Sequence, residues 1–195
     1  MLDTTASWPS DGISRWHDDG FALGGRWLWL TPDAERDASP IVDISLGLAL
    51  VADVRLDDRE TLCQNLNAHH ETPDSRLLLH AYARWGTGCL HHLHGDYAFV
   101  VADLARRTLF CARDALGVRP LYHAALANGA VACASDAGAL RHLLDGRQGD
   151  DRHLDIPFVL SYLGDRVDWH VERTLDARIR KVPGGHSLLL AEHRS

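Results

Sequence analysis

Lysine is almost absent from the sequence, since Lys181 is the only one among its 20 Lys and Arg residues. Basic charge is also in the minority, and the formal net charge at pH 7 is -7. A surface that binds nucleic acid or anionic lipid needs clustered basic side chains. The composition therefore argues against nucleic acid and membranes as partners.

Long apolar runs are absent too, and none approaches the length of roughly 20 residues that crosses a bilayer. The N-terminal segment MLDTTASWPSDG lacks the basic start and the apolar core of a secretory signal. We therefore expect a soluble, cytoplasmic protein.

Cysteine is sparse, and the four cysteines lie far apart, inside apolar stretches and without a CxxC pair: Cys63, Cys89, Cys111 and Cys133. Isolated cysteines in apolar surroundings are usually reduced core residues. We expect reduced thiols here, with a disulfide or a metal pair as the alternative. Six histidines, His69, His70, His80, His91, His92 and His94, are close in sequence, but we predict no metal site because His is frequent throughout the chain.

The sequence does contain enough apolar residues to form one hydrophobic core. Its 195 residues are 46% hydrophobic and 24% charged, which fits a single domain spanning 1–195. Two apolar runs, Tyr97–Ala102 and Leu109–Ala112, flank the polar break at Arg106 and Arg107. Because both runs are apolar at nearly every position, they predict an antiparallel hairpin covered on both faces.

The segment after this hairpin is a charged turn. Arg113, Asp114 and Arg119 bracket a Gly and a Pro, and we interpret them as a buried ion network that shapes the turn. The apolar runs Leu121–Ala127 and Ala130–Ser135 follow, joined by Asn-Gly, a strong hairpin signal. Together with the central hairpin they predict a four-stranded meander.

The remaining elements are predicted from periodicity and capping. We expect strands over Phe21–Leu30, Leu46–Val54 and His186–Ala191, with irregular chain over Met1–Asp19 and a loop over Thr31–Ile44. We expect helices after an Asp57 cap, after a Thr72 cap with Pro73 in the first position, after Ser135 or Asp136, and over Asp155–Leu163. In the second of these helices Leu77, Ala81 and Trp85 follow at spacing four, which predicts one apolar stripe, and Gly86 is expected to end the helix. Helices with doubly covered antiparallel strands indicate an α+β fold of two sheets between helical layers.

Three stretches are distinctive: LLLHAYARWGTGCLHHLHGDYAFVVAD, LFCARDALGVRPLYH and CASDAGALRHLL. They resemble the class II glutamine amidotransferase domain that begins asparagine synthetases and related ligases. The phrase VADVRLDDRETL is most similar to the β-lactam synthetase and lasso-peptide macrolactam synthetase branch. The resemblance implies an αββα sandwich of the N-terminal-nucleophile hydrolase type.

In that family an N-terminal Cys attacks glutamine, and its own α-amino group acts as the base. Here Leu2 follows Met1, and no Cys precedes Cys63. The family motif HRGPDG matches Ser7–Gly12, so we expect the family's first strand to be missing. Either translation starts upstream or this subfamily has lost the nucleophile. Thr4, Thr5 or Ser7 could replace it only after autocleavage, a less favoured alternative, and we assign no catalytic residue.

The resemblance also identifies the substrate-binding positions. The family's oxyanion Asn-Gly pair aligns with Ala52 and Asp53, and the Arg that binds the glutamine carboxylate aligns with Trp27, next to Arg26. Asp74 matches the Asp that binds the glutamine amino group, although helix-start electrostatics could also explain it. Arg26 and Asp74 are thus the candidate substrate-binding residues, and the oxyanion pair is degenerate.

These substitutions predict a non-catalytic amidotransferase-like domain of an asparagine synthetase-related protein. We expect no cofactor in this chain, because ATP and Mg²⁺ are implied only for an ATP-pyrophosphatase synthetase domain, whose SGGxDS loop is absent here. The expected partner is that synthetase domain or subunit, with a precursor peptide and a homodimer as further candidates. The alternative is a working glutaminase domain of a glutamine-hydrolysing asparagine synthase whose Cys-bearing start is missing.

Overall fold

The structure is a computed structural model and describes residues 2, 9–18, 20–28, 39–145, 153–164 and 171–191. Within these residues it contains ten strands, four α-helices and a 3₁₀ helix over Gly86–His92. The strands are β1 (Gly12–Asp18), β2 (Phe21–Trp27), β3 (Ile41–Asp43), β4 (Leu48–Leu56), β5 (Gly95–Asp103), β6 (Thr108–Arg113), β7 (Tyr122–Ala125), β8 (Val131–Ala134), β9 (Ile179–Lys181) and β10 (Ser187–Ala191). The helices are α1 (Arg59–Leu66), α2 (Asp74–Trp85), α3 (Ala137–Asp145) and α4 (Ile156–Leu163).

Two antiparallel sheets stack between helices, as the sequence predicts. The larger sheet has the order β10-β6-β5-β4-β3, and the smaller has the order β8-β7-β9. Helices α1 and α2 share a buried cluster with the outer face of the larger sheet, and α3 shares another with the smaller sheet. A third cluster lies between the sheets. The strands β1 and β2 form a separate hairpin.

Strand β5 lies at the centre of the sandwich and is buried on both faces. Phe99 and Val101 pack towards the helices, whereas Ala98 and Val100 pack towards the smaller sheet. This is the doubly covered hairpin that the unbroken apolar runs predict. Phe99 is 1% exposed, and burying one such side chain stabilises the fold by about 1.5–3 kcal/mol.

Helix α2 closes the outer layer because its apolar residues fall on one stripe. Leu77, Leu78, Ala81 and Tyr82 are all buried, and the Tyr82 ring stacks on Phe110 of β6 at 5.5 Å between centroids. The helix ends at a glycine with φ 59°, as predicted. No helix in the described residues is long and apolar enough to cross a membrane.

The two predicted helix caps in this layer are wrong. Helix α2 begins at Asp74 with Pro73 as the N-cap residue, so Thr72 is not the cap and Pro73 is not the first helical position. Helix α1 has Asp58 at its N-cap, without a side-chain cap bond, and the Asp57 carboxylate pairs with Arg55 instead. Helix α4 lies within the predicted range Asp155–Leu163, and the Asp155 side chain caps it by accepting the Phe158 N–H at 3.1 Å.

The predicted four-stranded meander is also wrong. Strands β7 and β8 pair across the Asn-Gly turn as expected, but the second neighbour of β7 is β9 in the smaller sheet. The charged turn after β6 carries the chain from one sheet to the other. Two further strands lie where irregular chain was expected, β1 within the first 19 residues and β3 within the predicted loop. Strand β3 has only three residues, and the apolar residues of β1, Ile13 and Trp16, do not alternate with polar ones, so neither segment gives a clear strand signal.

Candidate functional site

The turn that follows β6 is organised by one buried carboxylate. Asp114 is 1% exposed and accepts the N–H groups of Leu116 at 3.1 Å, Val118 at 2.9 Å and Arg119 at 3.0 Å. Burial by itself raises the pKa of Asp114, but the backbone N–H donors outweigh it, so the net pKa is lowered. The carboxylate therefore fixes the turn in its ionised form.

The neighbouring guanidinium also bonds to main chain. Arg113 donates to the carbonyls of Gly117 and Arg119 within the turn, and to the carbonyl of Val182 at 2.8 Å. The prediction of an ion network is therefore wrong: Arg113 and Asp114 form hydrogen bonds with backbone groups and do not pair with each other. Charged side chains bonded to backbone groups hold the turn between the two sheets.

The turn brings Arg119 close to Asp53, which the family resemblance aligns with the oxyanion pair. Its Nη1 lies 3.5 Å from the Asp53 carboxylate, and both side chains are partly exposed. Asp53 and Ala52 are adjacent on β4, so their side chains project to opposite faces of the sheet. Ala52 packs against the cluster beneath the helices.

Ser39 links Ala52 to the β1–β2 hairpin. The Ala52 N–H donates to Ser39 Oγ at 3.3 Å, and Ser14 Oγ of β1 donates to the Ser39 carbonyl at 2.7 Å. Gly25 of β2 lies against the same carbonyl, where a Cβ atom would overlap the oxygen. Three strands therefore meet at Ser39, which sequence reasoning missed because it lies in a predicted loop.

Arg26 and Trp27 of β2 both contact the chain at the start of β1. Arg26 Nη2 donates to Ser10 Oγ at 2.9 Å. The ring of Trp27 covers Gly12, where any Cβ atom would overlap the indole. The indole Nε1 is buried and has no hydrogen-bond partner among the described residues. Trp27, which the family resemblance aligns with the carboxylate-binding Arg, is therefore a packed aromatic residue.

Asp74 connects the helical layer to the end of β4. One carboxylate oxygen accepts the Leu56 N–H at 2.8 Å, and the other pairs with the Arg59 guanidinium. Arg59 in turn donates to the Thr72 carbonyl at 2.7 Å. The Asp74 side chain is 15% exposed, so little of it faces solvent. Sequence reasoning missed Arg59, whose contact with Asp74 spans two helices.

The candidate residues do not converge on one point. Asp74 bonds at Leu56, four residues beyond Ala52 on β4, which is about 13 Å along a strand. Ser39 links Ala52 to β2, near Arg26, because its Oγ accepts the Ala52 N–H and its carbonyl lies against Gly25. Asp53 faces the other side of the sheet. The alternative nucleophiles Thr4, Thr5 and Ser7 lie outside the described residues.

Other potentially reactive groups are buried or dispersed. All four cysteines are free thiols, and burial raises the pKa of Cys89 to about 12. The Sγ atoms of Cys111 and Cys133 lie 3.5 Å apart between the two sheets. In the part of the chain that the structure describes, no three His, Cys, Asp or Glu side chains are grouped so that they could hold a metal ion.

The layers define an αββα sandwich of the amidotransferase type. The chain superposes on glutamine phosphoribosylpyrophosphate amidotransferase from B. subtilis, complexed with ADP and GMP, with a TM-score of 0.53 and 18% identity. The superposition covers 86% of this chain and 32% of that chain. At this identity the likeness shows the fold alone, and it confirms the predicted fold class.

Sequence comparison identifies the family. Residues 1–195 match the glutamine amidotransferase domain model, and the chain belongs to that family. It is 32% identical over 129 residues to asparagine synthetase [glutamine-hydrolyzing] 3 of Bacillus subtilis, covering 63% of this chain and 21% of that protein. It is 34% identical over 116 residues to a putative asparagine synthetase of Mycobacterium tuberculosis, covering 57% of this chain and 17% of that protein. The matched region thus spans about a fifth of these relatives.

Proposed function

We propose that this chain is a non-catalytic amidotransferase-like domain that serves an asparagine synthetase-related protein by docking on its synthetase domain. The main support is the state of Asp74, the one retained position of the glutamine pocket. Its carboxylate is engaged by the Arg59 guanidinium and by the Leu56 N–H. A substrate ammonium placed there would compete with the Arg59 guanidinium for the same carboxylate charge.

The oxyanion positions support the same conclusion. A preorganised donor in an oxyanion site contributes about 2.7–4 kcal/mol to transition-state stabilisation. Ala52 has no side-chain donor, and its N–H is bonded to Ser39 Oγ. Asp53 introduces a carboxylate, which would repel a developing oxyanion, and it pairs with Arg119. These positions act as internal structural contacts.

The proposed partner is a synthetase domain or subunit. The relatives are named asparagine synthetases, and this chain matches about a fifth of the Bacillus subtilis protein. In our proposal that partner holds ATP and Mg²⁺ and forms the amide or lactam, in the cytoplasm. We further propose that the chain belongs to the β-lactam and lasso-peptide branch, with a precursor peptide as substrate. In that branch the substrate supplies the amine, so no ammonia from glutamine is needed.

A glutaminase assay with a binding measurement tests the proposal. The chain, alone and with the synthetase domain of an asparagine synthetase relative, is incubated with glutamine, and released glutamate is measured beside an active glutamine-hydrolysing asparagine synthetase. We expect no glutamate above the protein-free rate and no saturable heat on titration with glutamine. Enzyme-like glutamate release would overturn the proposal and establish the glutaminase alternative.

The partner is tested separately by analytical ultracentrifugation. We expect a complex between this chain and the synthetase. Self-association without that complex would instead identify a homodimer, and binding only to the precursor peptide would identify the peptide as the direct partner. Either result would contradict the docking part of the proposal.

A further inference from the structure

A cavity of about 510 Å³ lies on the smaller sheet, between α3, α4 and β9, and none of the candidate pocket residues lines it. We infer that this cavity binds a small organic monoanion with an apolar or aromatic body, and that Lys181 contacts the anionic group. This inference is independent of the proposed loss of glutaminase activity.

The size and lining of the cavity suit a small molecule. Ligand sites usually enclose about 300–1,000 Å³ and combine apolar walls with a few polar groups. Here Leu154, Phe158, Leu175 and Ile179 provide apolar surface. Such walls favour a ligand with an apolar or aromatic body because its binding removes that surface from water.

Helix α4 supplies an apolar wall that the described fold leaves uncovered. The helix reads IPFVLSYL, and none of its residues is buried. Its Phe158 and Tyr162 rings stack at 6.4 Å between centroids, and both side chains line the cavity. A planar apolar ligand would bury these rings, which the described residues leave partly or largely exposed.

Three arginines at or behind the cavity wall are already neutralised. Arg173 lies 3.3 Å from the carboxylate of Asp155, which is buried. Arg178 bonds to both Asp176 and Asp145, each at 2.6 Å. Arg141 also approaches Asp145, at 3.8 Å. The three carboxylates balance the three guanidinium groups, so these residues leave no net charge.

Lys181 carries the remaining positive charge. Its side chain lines the cavity, and within the described residues its ammonium has neither a hydrogen-bonded nor an ion-paired partner. It is also the only lysine in a chain with a formal net charge of -7. An unpaired ammonium beside apolar surface is stabilised by an incoming anion. One surplus charge matches one carboxylate or sulfonate on the ligand.

The residue next to Lys181 on β9, Arg180, offers a matched control. Arg180 is exposed and does not line the cavity, and alternation along β9 directs it to the other face of the strand. Removing either basic side chain lowers the net charge equally. Only the removal of Lys181 changes the cavity.

The test uses 1-anilinonaphthalene-8-sulfonate as the probe and N-phenyl-1-naphthylamine, the same body without the sulfonate, as its neutral control. Fluorescence titration of the full chain should show one saturable site for the sulfonate. The Lys181→Gln variant should weaken that binding about 10-fold or more, the loss of one charge-assisted bond. The affinity of Arg180→Gln for the sulfonate should be unchanged within about 2-fold, and so should the affinity of Lys181→Gln for the neutral probe. Circular dichroism should confirm that both variants are folded.

Acylation gives a second readout that does not depend on fluorescence. Because the chain has one lysine, mass spectrometry after limited acylation reports Lys181 directly, with the N-terminal amine as an internal reference. The sulfonate should protect Lys181 and leave the N-terminal amine unprotected. The inference would be overturned if both Gln variants weakened sulfonate binding equally or if that binding did not saturate. It would also be overturned if the synthetase partner, but not the probe, protected Lys181 from acylation, and this face would then be a docking surface.

Discussion

Replacing Asp114 with Ala is expected to destabilise the fold, because this carboxylate organises the charged turn. The carboxylate is 1% exposed, and three backbone N–H groups donate to it. Alanine removes the acceptors of all three bonds at once. The turn also carries the chain from the larger to the smaller sheet, so its loss affects the packing between the two layers.

The magnitude follows from the number of bonds and their exposure. A hydrogen bond to a charged group contributes about 1.5–3 kcal/mol, so three independent bonds would sum to more than is usually seen for one substitution. Leu116 is 88% exposed and Val118 is 53% exposed, so water can reach their freed N–H groups. We therefore expect the free energy of unfolding to fall by about 3 kcal/mol.

The Asn variant separates charge from shape. In the structure Oδ1 accepts from Leu116 and Val118, whereas Oδ2 accepts from Arg119. Asparagine keeps an acceptor for the first two donors but places an amide NH₂ opposite the Arg119 N–H. The Asp114→Asn loss should be smaller, about 2 kcal/mol.

The pH dependence has a definite sign. The pKa of Asp114 is lowered in the folded state, because backbone donors outweigh the effect of burial. Its stabilising contribution is therefore complete above the unfolded pKa, near 3.9, and is lost as the pH falls through the folded value. The difference in stability between wild type and Asp114→Ala should be constant from pH 7 to about pH 5 and should shrink below about pH 4.

Urea unfolding followed by circular dichroism measures these differences. Asp136→Ala is the matched control, because Asp136 also accepts two backbone N–H groups, from Gly138 at 3.1 Å and Ala139 at 3.0 Å, but at a more exposed helix start. Its loss should be only about 1 kcal/mol. An Asp114→Ala loss no larger than that of the control, or one that does not change below pH 4, would refute the reasoning.

Three further predictions concern the core and the strand junction. Gly25→Ala should lower the free energy of unfolding by about 1–3 kcal/mol, because its Cβ would overlap the Ser39 carbonyl. Gly88 has open space around it, so Gly88→Ala should not destabilise the fold, and equal urea midpoints for the two variants would contradict this. Burial raises the pKa of Cys89 to about 12, so native protein at pH 8 should leave this thiol unlabelled by iodoacetamide, and prompt labelling located by mass spectrometry would disprove the buried placement. Burial lowers the pKa of His123, so its NMR titration midpoint should lie below about 6.5. The free energy of unfolding should decrease as the pH falls below that value, because the folded state disfavours the charged imidazole; a midpoint above about 6.5 would contradict the placement.

The sequence alone was sufficient for elements whose pattern lies within one continuous segment. The stripe of leucines in α2, the glycine that ends it and the doubly covered β5–β6 hairpin were all predicted, because side-chain periodicity of 3.6 or 2 is local. Family resemblance added the identity of the domain and the positions to inspect: Arg26, Ala52, Asp53 and Asp74. It could not say what each of these side chains contacts.

Tertiary structure decided the pairing and the partners. The meander failed because β7 pairs with β9, more than fifty residues later, and a local hairpin signal carries no information on a strand's second neighbour. The same holds for the contacts of Asp74 with Arg59 and of Ala52 with Ser39, and for the placement of Lys181 in a cavity. Local sequence fixes which faces are apolar, whereas the stacking of layers determines which distant groups meet there.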